Sequence, residues 1–257
     1  MKRFGLIGHP VAGSFSPKLF EAAYGGRYPY DLLEGAEFGA SWQRFLDEYD
    51  GINITAPFKQ DAYRAVDALS DDARLCGAVN LAVKTPAGIV GYNTDVAGVV
   101  LAVREALAAR EAPGPQPVIP GLTGNLLKEA LVVGCGGAGR AAAVAALRLG
   151  CRVTLANRTP SRAAALADDL GCDWIPADDL PSLSPDLVIY TVPGPMDGFP
   201  EFPEAIVLEA NYRTPCLKGC GRTYISGLRW LLFQAVAGYE IFTGETPDAD
   251  AMFRIFC

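Results

Sequence analysis

The stretch LVVGCGGAGRAAAVAALRLGCRVTLANRTPSRA, from Leu131 to Ala163, constrains the fold more than any other part of the chain. An apolar run turns at clustered glycines, an alanine-rich segment of helical period follows, and a second apolar run comes next. Two buried strands joined through a helix lie parallel in one sheet, because only antiparallel neighbours can be joined by a tight turn. Gly134, Gly136 and Gly139 give G-x-G-x-x-G at the turn. One glycine permits the tight turn, one lets backbone approach a pyrophosphate, and one lets helix and strand pack closely. The helix N-terminus adds free N–H groups and a partial positive charge for phosphates. The rival reading, a turn that only packs a helix, is weaker because strand, turn, helix and second strand all stand at the intervals the fingerprint needs. Ala138 and the alanines after it suit close packing under either reading.

The second apolar run ends where an enzyme using NAD usually has Asp or Glu for the ribose hydroxyl. Here it ends Asn157-Arg158-Thr159-Pro160-Ser161-Arg162. An acid would repel a 2′-phosphate, whereas two guanidinium groups and a hydroxyl would hold it by charge-assisted hydrogen bonds. Basic residues are mildly unfavourable at a helix start, so their presence favours an anionic ligand over a merely solvated end. The cofactor expected is NADP.

The rest of the chain alternates in the same manner. RFGLIG reads as a strand, SPKLFEAAY as a helix, YPYDLLEG as a strand, ASWQRFLDEY as a helix and GINIT as a strand. AVNLAVKT and GIVGYN read as a hairpin, and TDVAGVVLAVREALAAR as a long helix. After the Pro/Gly-rich linker Glu111–Asn125 come strand 130–134, helix 138–149, strand 152–156, helix 160–170 and strands near 186–190 and 206–210. Such alternation predicts an α/β protein with largely parallel sheets. GLRWLLFQAVAGYEIF is a helix apolar nearly all round, hence buried, and Gln234 on its buried side needs a partner.

A net charge of −7 argues against a nucleic-acid surface, and no apolar run is long enough to span a bilayer. Seven cysteines without a secretory start point to reduced thiols in a cytoplasmic protein. Cys216 and Cys220 have ligand-like spacing, but no second pair follows, so no metal is expected. The single histidine, His9, precedes Pro10 at a strand end. Acid–base chemistry therefore falls more naturally to Lys, Asp or Tyr.

Three short motifs precede the glycine turn. Ser14 and Ser16 stand two residues apart on an extended segment and could grip a carboxylate, although Ser16 before Pro17 also reads as a helix N-cap. Asn53 and Thr55 alternate at a strand end, with Lys59 just beyond. Taken alone, Lys59 is a solvated lysine and Asn93-Thr94-Asp95 a capping cluster.

Together these residues resemble the shikimate dehydrogenases, across nearly the whole chain and in family order. Ser14 and Ser16 match the paired serines for the substrate carboxylate. Asn53, Thr55 and Lys59 match N-x-T-x-P-x-K, whose lysine is catalytic. Asn80 and Asp95 match substrate-ring contacts. Gly134, Cys135, Gly136, Gly137 and Ala138 match the NADP loop, and Asn157, Arg158, Thr159 and Arg162 the 2′-phosphate clamp. Tyr212, Gly227 and Gln234 match late positions lining substrate and nicotinamide. The sequence departs from the family pattern at Gly13, at Tyr190–Met196, after Tyr212 and at Phe242.

The resemblance implies two α/β domains with a cleft between them. The first would be a substrate domain, residues 1–100 completed by C-terminal helices 227–257, and the second a Rossmann-like NADP domain, residues 101–226. The implied reaction is reversible NADPH-dependent reduction of 3-dehydroshikimate to shikimate by a monomer or homodimer. Lys59 would be the proton donor, and Asp95 would orient it and bond a ring hydroxyl. Rivals are a broader quinate/shikimate dehydrogenase and a non-catalytic NADP- or shikimate-binding regulator, against which Lys59 and Asp95 speak.

Overall fold

The computed structural model describes residues 1–111 and 127–257, so most of the linker read at Glu111–Asn125 lies outside the described residues. The chain divides into two compact units, Met1–Thr94 with Leu232–Cys257, and Asp95–Leu231. The divisions fall in the first turn of α5 (Thr94–Glu111) and within α8 (Gly227–Thr243), near the boundaries at residues 100 and 226 that the sequence suggested.

In the first unit, β1 (Phe4–Gly8), β2 (Tyr30–Glu34), β3 (Gly51–Ile54), β4 (Ala68–Leu69), β5 (Leu81–Thr85) and β6 (Gly88–Tyr92) form one sheet in the order β2-β1-β3-β5-β6-β4. It is mixed, with three of its five strand pairings parallel, β4 on β6 among them. β1 lies parallel to β2 and β3, but β5 is antiparallel to both β3 and β6. The reason is the hairpin: strands joined by the two residues Pro86 and Ala87 cannot run parallel. Helices α1 (Ser16–Tyr24) and α2 (Phe38–Glu48) match the periodic segments, α2 burying Trp42 and Phe45. The sheet packs Phe4 and Leu81 with Phe20 and with Leu232, Tyr239 and Phe242 of α8. Phe242, a departure from the family pattern, is a core residue stacked on Phe4 at 4.8 Å between ring centres. Short helices α3 (Lys59–Ala65), α4 (Asp71–Cys76) and α9 (Ala249–Phe253) complete the unit.

The second unit is parallel throughout. Strands β7 (Glu129–Val133), β8 (Arg152–Ala156), β9 (Asp173–Ile175), β10 (Leu187–Tyr190), β11 (Phe202–Glu209) and β12 (Gly221–Ser226) lie in the order β12-β11-β10-β7-β8-β9. Counted from β7 this is the 3-2-1-4-5-6 order of dinucleotide-binding sheets, whose ligand crevice opens where the order reverses, between β7 and β10. Helix α6 (Gly137–Arg148) buries Ala141 to Ala146 without interruption, and α7 (Pro160–Leu170) follows β8. No helix among the described residues is long and apolar enough to cross a membrane.

Candidate active site

In the second unit the glycine turn leaves β7 at the strand-order reversal. Gly134 has φ +99°, and a Cβ on Gly139 would stand 1.8 Å from the Gly134 carbonyl oxygen, so helix and turn touch backbone to backbone. By contrast, a Cβ on Gly136 or Gly137 would meet nothing within 4 Å. These two residues and Ala138 are exposed, and no side chain caps α6. The helix start is thus an open cradle of donors. Thr191, at the end of β10, locks the turn by donating to the Val133 carbonyl at 2.9 Å.

The end of β8 is tied to the same turn. The Cys135 N–H donates to Asn157 Oδ1 (3.3 Å), and Asn157 Nδ2 donates to the Thr159 carbonyl (3.0 Å). Arg158, Thr159 and Arg162 are exposed, and the Thr159 hydroxyl makes no capping bond to α7. Burial pushes the Cys135 thiol up to about 11, which removes it as a nucleophile and leaves its backbone as the useful part. Tyr212 is half-buried in the loop after β11. A Cβ on Gly227 would come within 2.3 Å of the Ala210 carbonyl oxygen, so this glycine is needed for packing whatever it binds. Asp95 stands in the first turn of α5, where Trp230 Nε1 donates to its carbonyl at 2.9 Å and Arg229 pairs with Glu105.

In the first unit, a chain of polar side chains links three of the expected residues, Asn53, Asn80 and Gln234. Tyr30 donates to Asn53 Oδ1 (2.8 Å), and Asn53 Nδ2 donates to the Asn80 carbonyl (3.4 Å). Asn80 Oδ1 accepts the Thr94 N–H (2.8 Å), Asn80 Nδ2 donates to Thr94 Oγ1 (3.1 Å), and Thr94 Oγ1 donates to Gln234 Oε1 (3.3 Å). Gln234, half-buried in the structure, thereby has the partner the sequence called for. The N–H of Thr94, at the start of α5, is met by Asn80, fourteen residues upstream. Lys59 is the first residue of α3 and half-buried; its carbonyl accepts the Val79 N–H at 2.9 Å, beside Asn80. Thr55 precedes it in a turn closed by the Phe58 N–H on the Thr55 carbonyl (3.0 Å).

The serine pair is arranged differently from the expectation. Phe15 is already helical (φ −75°, ψ −14°), so Ser16 lies inside α1 and its side chain caps nothing. An N-cap needs extended backbone, which Phe15 does not supply. Ser14 instead accepts the Ser16 N–H at 3.1 Å, and the two hydroxyl oxygens meet at 3.0 Å although the segment is not extended. Tyr239 of α8 donates to the Ser16 carbonyl at 3.1 Å. Burial raises the phenols of Tyr30 and Tyr239 well above their ordinary value, so both remain donors. Neither tyrosine was singled out from sequence; their helical or strand context gave no signal beyond core packing.

Residues 6–82 match the model of the shikimate dehydrogenase substrate binding domain. The shikimate dehydrogenase (NADP(+)) of Acidiphilium cryptum is 35% identical, over 97% of this chain and 94% of that protein. The chain belongs to the shikimate dehydrogenase family. Among solved structures, the shikimate 5-dehydrogenase of Thermus thermophilus in complex with NADP(H) and shikimate superposes with TM-score 0.81 at 30% identity, covering 99% of this chain and 98% of that one. A quinate dehydrogenase from Corynebacterium glutamicum in complex with NAD gives TM-score 0.80 at 27% identity, covering 99% and 98%.

Proposed function

We propose that this chain catalyses the reversible NADPH-dependent reduction of 3-dehydroshikimate to shikimate. The observation that carries the reading is the pairing of an open phosphate cradle at Gly136 and Gly137 with a basic, acid-free end to β8. A Cβ would fill that cradle, so the residues present fit a dinucleotide: the backbone of Gly134–Ala138 holds the pyrophosphate, and Asn157, Arg158, Thr159 and Arg162 hold the 2′-phosphate. When bound, NADPH supplies the hydride for the ketone carbon.

Ser14 and Ser16 take the carboxylate, and Asn53, Thr55, Asn80, Tyr212 and Gln234 orient the ring. Gly227 serves the cofactor side. The Lys59 ammonium gives its proton to the developing alkoxide oxygen, and in the oxidative direction the neutral amine accepts it. Asp95 bonds a ring hydroxyl. Seven cysteines with no disulfide among the described residues support a reducing, cytoplasmic setting, and a monomer or homodimer that binds only small molecules is the partner state we infer.

The test is NADP reduction with shikimate by the purified protein, with quinate and NAD run in parallel. Turnover of shikimate with NADP is expected, and Lys59→Ala should lower kcat by roughly 10²–10⁴. The likeness to a quinate dehydrogenase supports a broader enzyme as the second reading; equal kcat/KM for quinate would favour it. If Lys59→Ala oxidises shikimate within a few-fold of the parent, the assignment of the proton donor is wrong.

A further inference from the structure

Glu209, the last residue of β11, is fully buried, and no step above uses it. Its Oε1 accepts the Cys216 N–H (2.7 Å) and the Cys216 thiol (3.2 Å); its Oε2 accepts the Leu217 N–H (3.1 Å) and the Tyr224 hydroxyl (2.9 Å). A carboxylate withdrawn from water is tolerated only when donors meet its lone pairs, and here four do. Burial and then the hydrogen bond to Glu209 push the Cys216 thiol up to about 11, so it stays protonated and keeps donating.

The two backbone donors belong to the loop that carries Tyr212. Asn211 fastens the near end of that loop. Its Oδ1 accepts the Thr214 N–H (3.2 Å), and its Nδ2 donates to the carbonyls of Thr214 and Pro193 (both 2.9 Å). Tyr212 therefore sits between one anchor at Asn211 and another at Cys216 and Leu217.

We propose that Glu209 and Asn211 form a two-point clamp that positions Tyr212 for the substrate. The inference rests on the reading of Tyr212 as a substrate residue. An unclamped loop would have to be ordered each time substrate binds, which weakens binding without touching the bond-making step. The carboxylate cannot be replaced by its amide. Cys216 N–H and Leu217 N–H address different oxygens, so in either orientation a glutamine NH₂ would face a backbone donor.

The experiment compares Glu209→Gln, Asn211→Ala, Tyr212→Ala and the two doubles that include Tyr212→Ala. In Glu209→Gln the amides of Cys216 and Leu217 should exchange hydrogen at least roughly tenfold faster. The shikimate KM should rise roughly fivefold to thirtyfold, with kcat and NADP affinity little changed. On the Tyr212→Ala background the same change should raise KM less than about twofold, because the two residues act as a unit. A role in stability alone predicts a lower melting temperature and the same KM factor on both backgrounds, and that result overturns the clamp. Unchanged exchange at Cys216 and Leu217 also overturns it. Asn211→Ala, whose side-chain bonds lie at the surface, carries the same cycle if Glu209→Gln does not fold. A parent protein that turns over no shikimate refutes the proposed reaction and Tyr212 as its substrate residue, whereas the exchange measurement, which needs no turnover, separately decides the anchor.

Discussion

Two alanine substitutions in one turn separate a ligand cradle from a packing device. At Gly139 an added methyl would lie 1.8 Å from the Gly134 carbonyl oxygen, so α6 must retreat by more than 1 Å or the turn must break. Overpacking of this kind costs about 1–3 kcal/mol. For a protein of this size that is a fall of roughly 2–12 °C in melting temperature, with or without ligand. At Gly136 the same methyl meets nothing within 4 Å, and the backbone there (φ −83°, ψ −169°) is one that alanine adopts freely. The empty protein should therefore melt within about 2 °C of the parent. The methyl would, however, occupy the space proposed for the pyrophosphate. Losing one charge-assisted backbone contact, about 1.5–3 kcal/mol, corresponds to a roughly tenfold to hundredfold weaker NADP affinity. Thermal melts of the empty protein, beside NADP titrations followed by fluorescence, give both numbers. If Gly136→Ala binds NADP like the parent, the open space at the start of α6 is not the phosphate site, and the cofactor assignment built on it fails.

Other expectations follow from the same geometry. Arg158→Ala should reduce kcat/KM for NADP by roughly tenfold, an exposed contact being partly screened, and leave NAD within twofold; equal losses on both cofactors would argue against a 2′-phosphate clamp. Ser16→Ala should raise the shikimate KM while leaving the melting temperature almost unchanged, since its hydroxyl caps no helix; a loss of about 1 kcal/mol in stability with normal kinetics would restore the capping role. Cys135, with its thiol at about 11, should be alkylated slowly near neutral pH, the rate climbing roughly tenfold per pH unit through pH 10. Peptide mass spectrometry reads that rate, NADP should suppress it, and a pH-independent rate would contradict the burial argument.

The second unit was legible because its signals are local. The G-x-G-x-x-G turn, the alanine-rich helix and the run to Arg162 lie within about thirty residues, and helix 160–170 is observed at those bounds. The short helices α3 and α4 were missed because six or seven residues hardly complete two turns, too few for a 3.6-residue period to show. A cap was available as a signal: Ser70 before Asp71 and Asp72 does accept the Ala73 N–H. What sequence could not show are the long-range ties. Asn80 spends its amide on the start of α5, and Glu209 gathers donors from seven to fifteen residues downstream. In IVLEAN the glutamate reads as an ordinary acid at a strand end. Ser16 was misread as a cap because Phe15 enters the helix one residue earlier than the Ser-Pro pair suggests.

The first unit is discontinuous, and that orders events on the ribosome. Met1–Thr94 emerges first, but the core around Phe4, Phe20 and Leu81 is closed by Leu232, Tyr239 and Phe242. Residues 95–231 must be made in between. At the usual elongation rates of about 5–20 residues per second, that leaves the apolar face of the first sheet uncovered for on the order of ten seconds. The second unit, contiguous in the chain, is free to fold within that interval. The nascent chain would then carry a finished nucleotide module behind an unfinished sheet, and the waiting sheet is where a chaperone would bind.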